Sequence, residues 1–147
     1  MVIRHFGESI LSSKVYKRRP SIYVILPREH ELLVTVQEEP SREIQLPGGG
    51  IDKGEQYLQA LYREVIEETG WVISNPLRIG LYRYYTYMPE YSFWAEKLCH
   101  IYIARPVIQK CDPTETGHHP VWLPVSDAIE KLASEGDKTF VQNYFKL

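Results

Sequence analysis

The alternation of apolar and polar positions divides the chain into short strand-like runs around one stretch of helical period. Ser21-Ile22-Tyr23-Val24-Ile25-Leu26 is β-branched and aromatic. Leu32-Leu33-Val34-Thr35-Val36 repeats that character after the turn Pro27-Arg28-Glu29-His30, so the two are expected to be strands paired as a hairpin. Ile44-Gln45-Leu46, beyond the turn Pro40-Ser41-Arg42, reads as a short strand leading to Pro47 and a glycine-rich turn, Gly48-Gly49-Gly50. Between Gly54 and Thr69 the period becomes helical. Leu58, Leu61 and Val65 recur at i, i+3 and i+7 and predict a core-facing stripe with Tyr62 beside it. Gly70 then suits a left-handed C-terminal cap.

After Asn75-Pro76, Leu77 to Tyr87 reads as a long strand or hairpin arm, followed by the aromatic loop Met88 to Trp94 and a strand from Leu98 to Ala104. Residues 109 to 120, QKCDPTETGHHP, form a polar loop. Val121-Trp122-Leu123 is a last strand ended by Pro124. Ser126 or Val125 starts a helix over Asp127 to Leu132, a capping Ser with acid in the first turn suiting the helix dipole. Gly136 is expected to break the chain before a terminal helical stretch, Thr139 to Phe145, while residues 1 to 13 are weakly patterned, a first strand or a loosely attached arm. Strands interleaved with one central and one or two terminal helices predict an α/β sandwich around a mixed sheet.

At 147 residues and 44% hydrophobic content the chain is sized for one domain, residues 1–147, with a real core and no linker. A formal net charge of −2 gives no global basic field, which argues against nucleic acid and membrane surfaces as partners and for small molecules. The basic cluster Lys14, Lys17, Arg18 and Arg19 reads as a solvated strand flank, with phosphate steering as the functional alternative. Cys99 and Cys111 lie outside any C-x-x-C spacing, so neither a disulfide framework nor a zinc site is indicated and a reducing compartment is expected. Without an unbroken apolar stretch at the amino terminus, the reading is a soluble, cytoplasmic protein.

The predicted helix also carries Glu64, Glu67 and Glu68 at i, i+3 and i+4, where like charges on one face cost roughly 0.2–0.5 kcal/mol per pair. A divalent cation is the obvious relief, because hard ions take carboxylate oxygens and usually arrive with substrate phosphates. This points to a metal-dependent enzyme acting on phosphates.

The stretch in fuller form is Gly49, five residues, Glu55, seven residues, then Arg63-Glu64-Val65-Ile66-Glu67-Glu68-Thr69-Gly70. It resembles the signature of the Nudix hydrolases position for position up to Trp71, where the family favours a bulky aliphatic residue. The resemblance implies a Nudix-type α/β/α sandwich with a central mixed β-sheet, and hydrolysis of a nucleoside diphosphate linked to another moiety with Mg²⁺ or Mn²⁺. It further implies that Glu64 and Glu68 are the principal metal ligands together with the backbone carbonyl of Gly48. Glu67 would be a ligand or the general base, Arg63 would brace the carboxylates, and Glu55 would fix the loop against the helix. A fourth acid is sought outside the signature. Glu115 is the first candidate for metal or base work, Glu96 for contact near the substrate, and Asp112 a third. His118 and His119 are read first as solvated loop histidines.

Resemblance implies that specificity lies outside the signature. ADP-ribose enzymes of the family carry a proline some way past it and diadenosine polyphosphate enzymes a tyrosine; here Tyr87 and Pro89 both stand at about that distance. With Glu96 after Pro89, ADP-ribose is the first choice. Diadenosine polyphosphates, diphosphoinositols, RNA 5′ ends or a silent binding module are the alternatives. Tyr84, Tyr85, Tyr87, Tyr91, Phe93 and Trp94 are expected to serve as core or homodimer contacts, with one or two stacking on a substrate base.

Overall fold

A computed structural model describes residues 3–146. The elements in order are β1 (Arg4–Gly7), β2 (Tyr16–Ile25), β3 (Pro27–Arg28), β4 (Glu31–Gln37), β5 (Glu43–Gln45) and β6 (Gly48–Gly50). They continue with α1 (Tyr57–Thr69), β7 (Trp71–Met88), β8 (Phe93–Gln109), β9 (His118–Pro124), α2 (Val125–Lys131) and α3 (Glu135–Phe145). A five-stranded mixed sheet has the order β1-β7-β8-β2-β6, and a second sheet has β4 between β9 on one edge and β3 and β5, end to end, on the other. The α/β expectation holds, with helices on opposite sides: Ala60, Leu61 and Val65 of α1 pack on Ile22, Val24 and Tyr102. Val125, Ile129 and Val141 of α2 and α3 pack on Ile25, Tyr82 and Ile101 of the other face.

The expected hairpin between β2 and β4 does not form. β2 pairs in parallel with β8 and antiparallel with β6, while only the two residues of β3 pair with β4. The reason is burial on both faces: Val24, Ile25 and Leu26, and every residue from Leu32 to Val36, are buried, so the strands pass into two different sheets and share one core. The Leu33 N–H to Leu26 carbonyl bond of 3.1 Å marks the point where the sheets meet. Register shifts between Ser74 and Leu77 absorb Asn75-Pro76 inside β7, so that strand starts at Trp71 rather than Leu77. The amino-terminal segment supplies an edge strand, β1, parallel to Tyr82–Tyr85.

Three further expectations change. Leu58 is 44% exposed, and Tyr62 is exposed beside it. The face α1 buries is centred instead on Ala60, Leu61, Glu64, Val65, Glu68 and Thr69. Ser126 lies inside α2, whose N-cap is Pro124; the capping serine is Ser134 of α3, which accepts the Asp137 N–H at 3.2 Å. Gly136 does not interrupt the chain but forms the first turn of α3, where a Cβ would lie 2.4 Å from the Tyr82 ring. Gly70 caps α1 as expected, at φ 75°. Among the described residues, no helix is long and apolar enough to cross a membrane.

Candidate active site

The site forms where β6 meets α1. Gly48 is paired with Tyr23 of β2, and a side chain on Gly48 would run into the Ile22 carbonyl oxygen. A Cβ on Gly49 would sit 2.7 Å from the Glu64 carboxylate. The glycines therefore let strand backbone lie directly against the acidic face of the helix. At about 100° per residue, Glu64 and Glu68 fall in the middle of the buried face, between Ala60 and Val65. Glu64 is 8% exposed and Glu68 4%, whereas the Glu67 side chain, on the flank, is 38% exposed.

Arg63 organises the carboxylates. Its guanidinium donates to both oxygens of Glu55 at 2.7 and 2.9 Å, to Glu64 at 3.0 Å, to Glu67 at 3.2 Å and to the Gly50 carbonyl at 3.2 Å. The fork geometry of arginine permits this shared grip. The hydrogen bonds from Arg63 take the Glu55 carboxyl down to about 2, helped by the Asp52 N–H. Glu68 accepts the Gly48 N–H at 3.0 Å. Even so, burial pushes Glu68 up to about 9 and Glu64 up to about 7, with Glu115 and Glu67 adding like charge to both.

The loop between β8 and β9 closes over the end of α1. Thr114 and Glu115 N–H groups both donate to the Glu67 carbonyl at 2.9 Å, and Lys110 N–H donates to the Gly70 carbonyl at 2.8 Å. They satisfy carbonyls that a helix end leaves free. The closure brings Glu115 and His118 to the cluster. Ligand atoms of Glu68, Glu115 and His118 lie within 4.8 Å of one another, as do those of Glu64, Glu67 and Glu115. His118 Nδ1 is 3.5 Å from Glu68 Oε2 and is a buried nitrogen with no hydrogen-bond partner. Two buried carboxylates, Glu64 and Glu68, whose charge is disfavoured by burial and by their acidic neighbours, beside an orphaned imidazole nitrogen, fit a divalent cation.

On the opposite face of the sheet, a cavity of about 180 Å³ lies against the start of α3. It is lined by Tyr23, Gln45, Tyr84, Lys97, Ser134 and Asp137, among others. Beneath it Tyr82 donates to Asp137 at 2.6 Å and meets Ser134 Oγ at 3.0 Å, and Lys97 Nζ approaches the Tyr23 hydroxyl at 3.5 Å. Burial raises Asp137 to about 6 against the opposing pull of Tyr82 and Lys97.

The pattern of this cluster and the fold around it agree with a known domain, whose family model, described as the NUDIX domain, matches residues 17–144. The chain belongs to the NUDIX family. It is 34% identical over 61 residues to a Bacillus subtilis protein carrying the provisional name 8-oxo-dGTP diphosphatase, a match covering 42% of this chain and 41% of that protein. It is 43% identical over 47 residues to an RNA pyrophosphohydrolase of Pelagibacter ubique, covering 31% of this chain and 30% of that one. The matches span less than half the length of these curated relatives. A solved NUDIX hydrolase from Nitrosomonas europaea superposes with a TM-score of 0.74 at 18% identity, covering 88% of this chain and 90% of that one, which shows the shared fold.

In this NUDIX chain the structure gathers Gly48, Arg63, Glu64, Glu67, Glu68 and Glu115 into one cluster. Tyr87, Pro89 and Glu96 are elsewhere. Glu96 pairs across β2 with Arg18, five residues from the Tyr23–Gly48 pair, or about 16 Å along a strand. Its carboxylate takes hydrogen bonds from Arg18 at 2.9 Å and Tyr85 at 3.0 Å, which hold it below its ordinary value although burial opposes them. Tyr87 packs on Trp94 and Pro89 sits at the exposed hairpin tip. Asp112 is exposed in the loop, and His119 faces Glu38 at 3.8 Å. Sequence reasoning passed over His118 as a ligand and missed the cavity group Tyr23, Gln45, Lys97 and Asp137. A buried polar pair inside apolar strands was the available signal.

Proposed function

We propose that this chain, acting as one domain in the cytoplasm, is a pyrophosphohydrolase that cleaves a diphosphate linkage in a nucleotide derivative with Mg²⁺ or Mn²⁺. The observation that carries the reading is the convergence of two groups at ligand distance that share Glu115, Glu64 with Glu67 and Glu68 with His118, in which the buried Glu64 and Glu68 lack compensating donors. Glu64, Glu68 and the Gly48 carbonyl would hold the metal, with Glu115 and His118 completing its shell. When bound, the cation supplies charge neutralisation and orientation of the phosphates. Glu67, the most exposed of the three helix glutamates, is positioned to take the proton of the attacking water as its oxygen bonds to phosphorus and the bridging oxygen leaves with the other phosphate. Arg63 is a positioning residue, fixing Glu64 and Glu67 and tying the Asp52–Glu55 loop to the helix.

The cavity at Tyr23, Gln45, Lys97 and Asp137, across the sheet from the phosphate site and joined to it by the Tyr23–Gly48 strand pair, offers donors and acceptors for a nucleobase. The relatives' names, an 8-oxo-dGTP diphosphatase and an RNA pyrophosphohydrolase, favour a nucleoside triphosphate or an RNA. ADP-ribose, the reading suggested by Pro89 and Glu96, draws no support from the positions of those two residues away from the cluster. Glu68→Gln is expected to abolish Mg²⁺-dependent hydrolysis with the fold intact by circular dichroism; undiminished turnover would sink the assignment. A panel of nucleoside triphosphates, 5′-triphosphorylated RNA, ADP-ribose and diadenosine polyphosphates, read by product identity, separates the substrates.

A further inference from the structure

The basic cluster at the start of β2 is not spread evenly around the strand. Alternation and register put Lys17, Arg19, Ser21 and Tyr23 on the sheet face of the cavity, beside Ala95, Lys97 and Cys99 of β8, and leave Arg18 on the other face with Glu96. Arg18 is neutralised there. Lys17 and Arg19 have no carboxylate within ion-pair distance among the described residues, and each lies over an aromatic ring instead. Lys17 Nζ is 5.0 Å from the Phe93 centroid, and Arg19 is 5.1 Å from Tyr91 and 5.8 Å from Phe93. Tyr91 and Phe93 are themselves stacked, 5.5 Å apart at 14°, and Tyr91 is 54% exposed. Arg19 stands directly opposite Lys97, which lines the cavity, so the strip adjoins the cavity and sets Lys17 and Arg19 of β2 beside the like charge of Lys97 on β8.

We propose that this strip, Lys17 and Arg19 with Tyr91 and Phe93, binds the nucleotides that follow the 5′ end of a single-stranded RNA whose first nucleoside occupies the cavity. The proposal rests on the pyrophosphohydrolase reading for the first nucleotide and adds the polymer class of the substrate. Single-stranded RNA is recognised by this combination: ring faces and arginine planes stack on unpaired bases while lysines meet the phosphates. An unpaired cation pair facing a like charge invites a polyanion. A two-fold homodimer through the same strip would set the patch against itself, cation against cation. The formal charge of −2, which on the sequence alone argued against nucleic acid, is a sum over the whole chain. The strip itself, Lys17 and Arg19, is locally cationic, although Glu43 and Asp137 line the adjoining cavity with Lys97.

The test uses a 3′-labelled, 5′-hydroxyl decaadenylate, which cannot be hydrolysed at a diphosphate, read by fluorescence anisotropy, alongside hydrolysis of the 5′-triphosphorylated RNA of the same sequence and of ATP. Expected is salt-sensitive binding that weakens about tenfold or more in Lys17→Gln/Arg19→Gln and in Phe93→Ala. RNA hydrolysis should fall in these variants by a larger factor than ATP hydrolysis. Both variants should melt near the parent temperature; if Phe93→Ala does not fold, the lysine–arginine double variant carries the test. Absence of decamer binding by the parent at low salt overturns the strip while leaving the hydrolase reading standing, and equal losses on RNA and ATP overturn it too. A dimer that Phe93→Ala dissociates, without RNA binding, also overturns it. Decamer binding lost in the variants, with no hydrolysis of any substrate, upholds the strip and removes the hydrolase reading.

Discussion

Two sets of buried ionisable groups lie on opposite faces of the same sheet, and they are partnered differently. On the α1 face, Glu68 has one backbone N–H from Gly48 and Glu64 has one contact from Arg63, while Glu67 and Glu115 crowd both with like charge. On the α3 face, Asp137 accepts the Tyr82 hydroxyl, is drawn toward Lys97, and anchors its own N–H on Ser134. Burial is similar, yet Glu68 rises to about 9 and Asp137 only to about 6. The difference is the company. Donors supplied by the fold make Asp137 self-sufficient, whereas the glutamates converge without enough donors and leave a place for a cation.

The largest effect that would break this contrast is on turnover. Glu68→Gln should cost several kcal/mol of transition-state stabilisation, roughly a thousandfold in kcat. Steady-state assays with Mg²⁺ measure it, and a loss under tenfold would mean that the two faces do not differ in kind. Arg63→Lys, which keeps the charge but loses the fork to Glu55, should weaken divalent-cation affinity about 10- to 100-fold by calorimetry. Unchanged affinity would remove Arg63 from its positioning role.

The pH dependence of stability sharpens the comparison further. Glu64 and Glu68 bind protons more tightly folded than unfolded. Without metal they therefore make stability fall as pH rises from about 4.5 towards 7 and 9 respectively. Asp137 contributes the same sign between about 4 and 6, and Glu55, lowered to about 2, contributes the opposite sign, its stabilisation being lost on acidification. Saturating Mg²⁺ should raise the melting temperature by several degrees at pH 8 and by little at pH 5. A shift independent of pH would contradict the assignment of the buried glutamates as the cation's ligands. The smallest effect is on the other face: Tyr82→Phe leaves Asp137 and Ser134 short of a partner and should cost about 1–3 kcal/mol in urea unfolding, with no change in the Mg²⁺-induced shift.

Much of the α1 face was legible in advance because its information is local. The glycine run, the spacing of Glu55 to Arg63 and the i, i+3, i+4 glutamates act within one turn–helix unit, and Gly70 closes it as its αL conformation requires. What failed was the direction of the helix. Hydrophobic periodicity points Leu58 into the core, but α1 packs with Glu64 and Glu68 centred on the buried face, an arrangement that periodicity disfavours and that Gly48 and Gly49 make room for. The hairpin of β2 with β4 failed because an apolar run announces burial without naming its partner strand.

By itself the sequence determined the helix and its C-terminal cap, the carboxylate set on it, the α/β class and the family whose signature the set resembles. These follow from interactions between residues a few positions apart, whose geometry one helical turn imposes. Only the tertiary structure decided that Glu115 and His118 join that set, that Glu96 is occupied by Arg18 and Tyr85, and that Tyr23, Gln45, Lys97 and Asp137 share a cavity. Those placements depend on strand register and on which of two sheets a strand enters. Both are settled by packing between residues as far apart as Ser21 and Cys99, which no local pattern encodes.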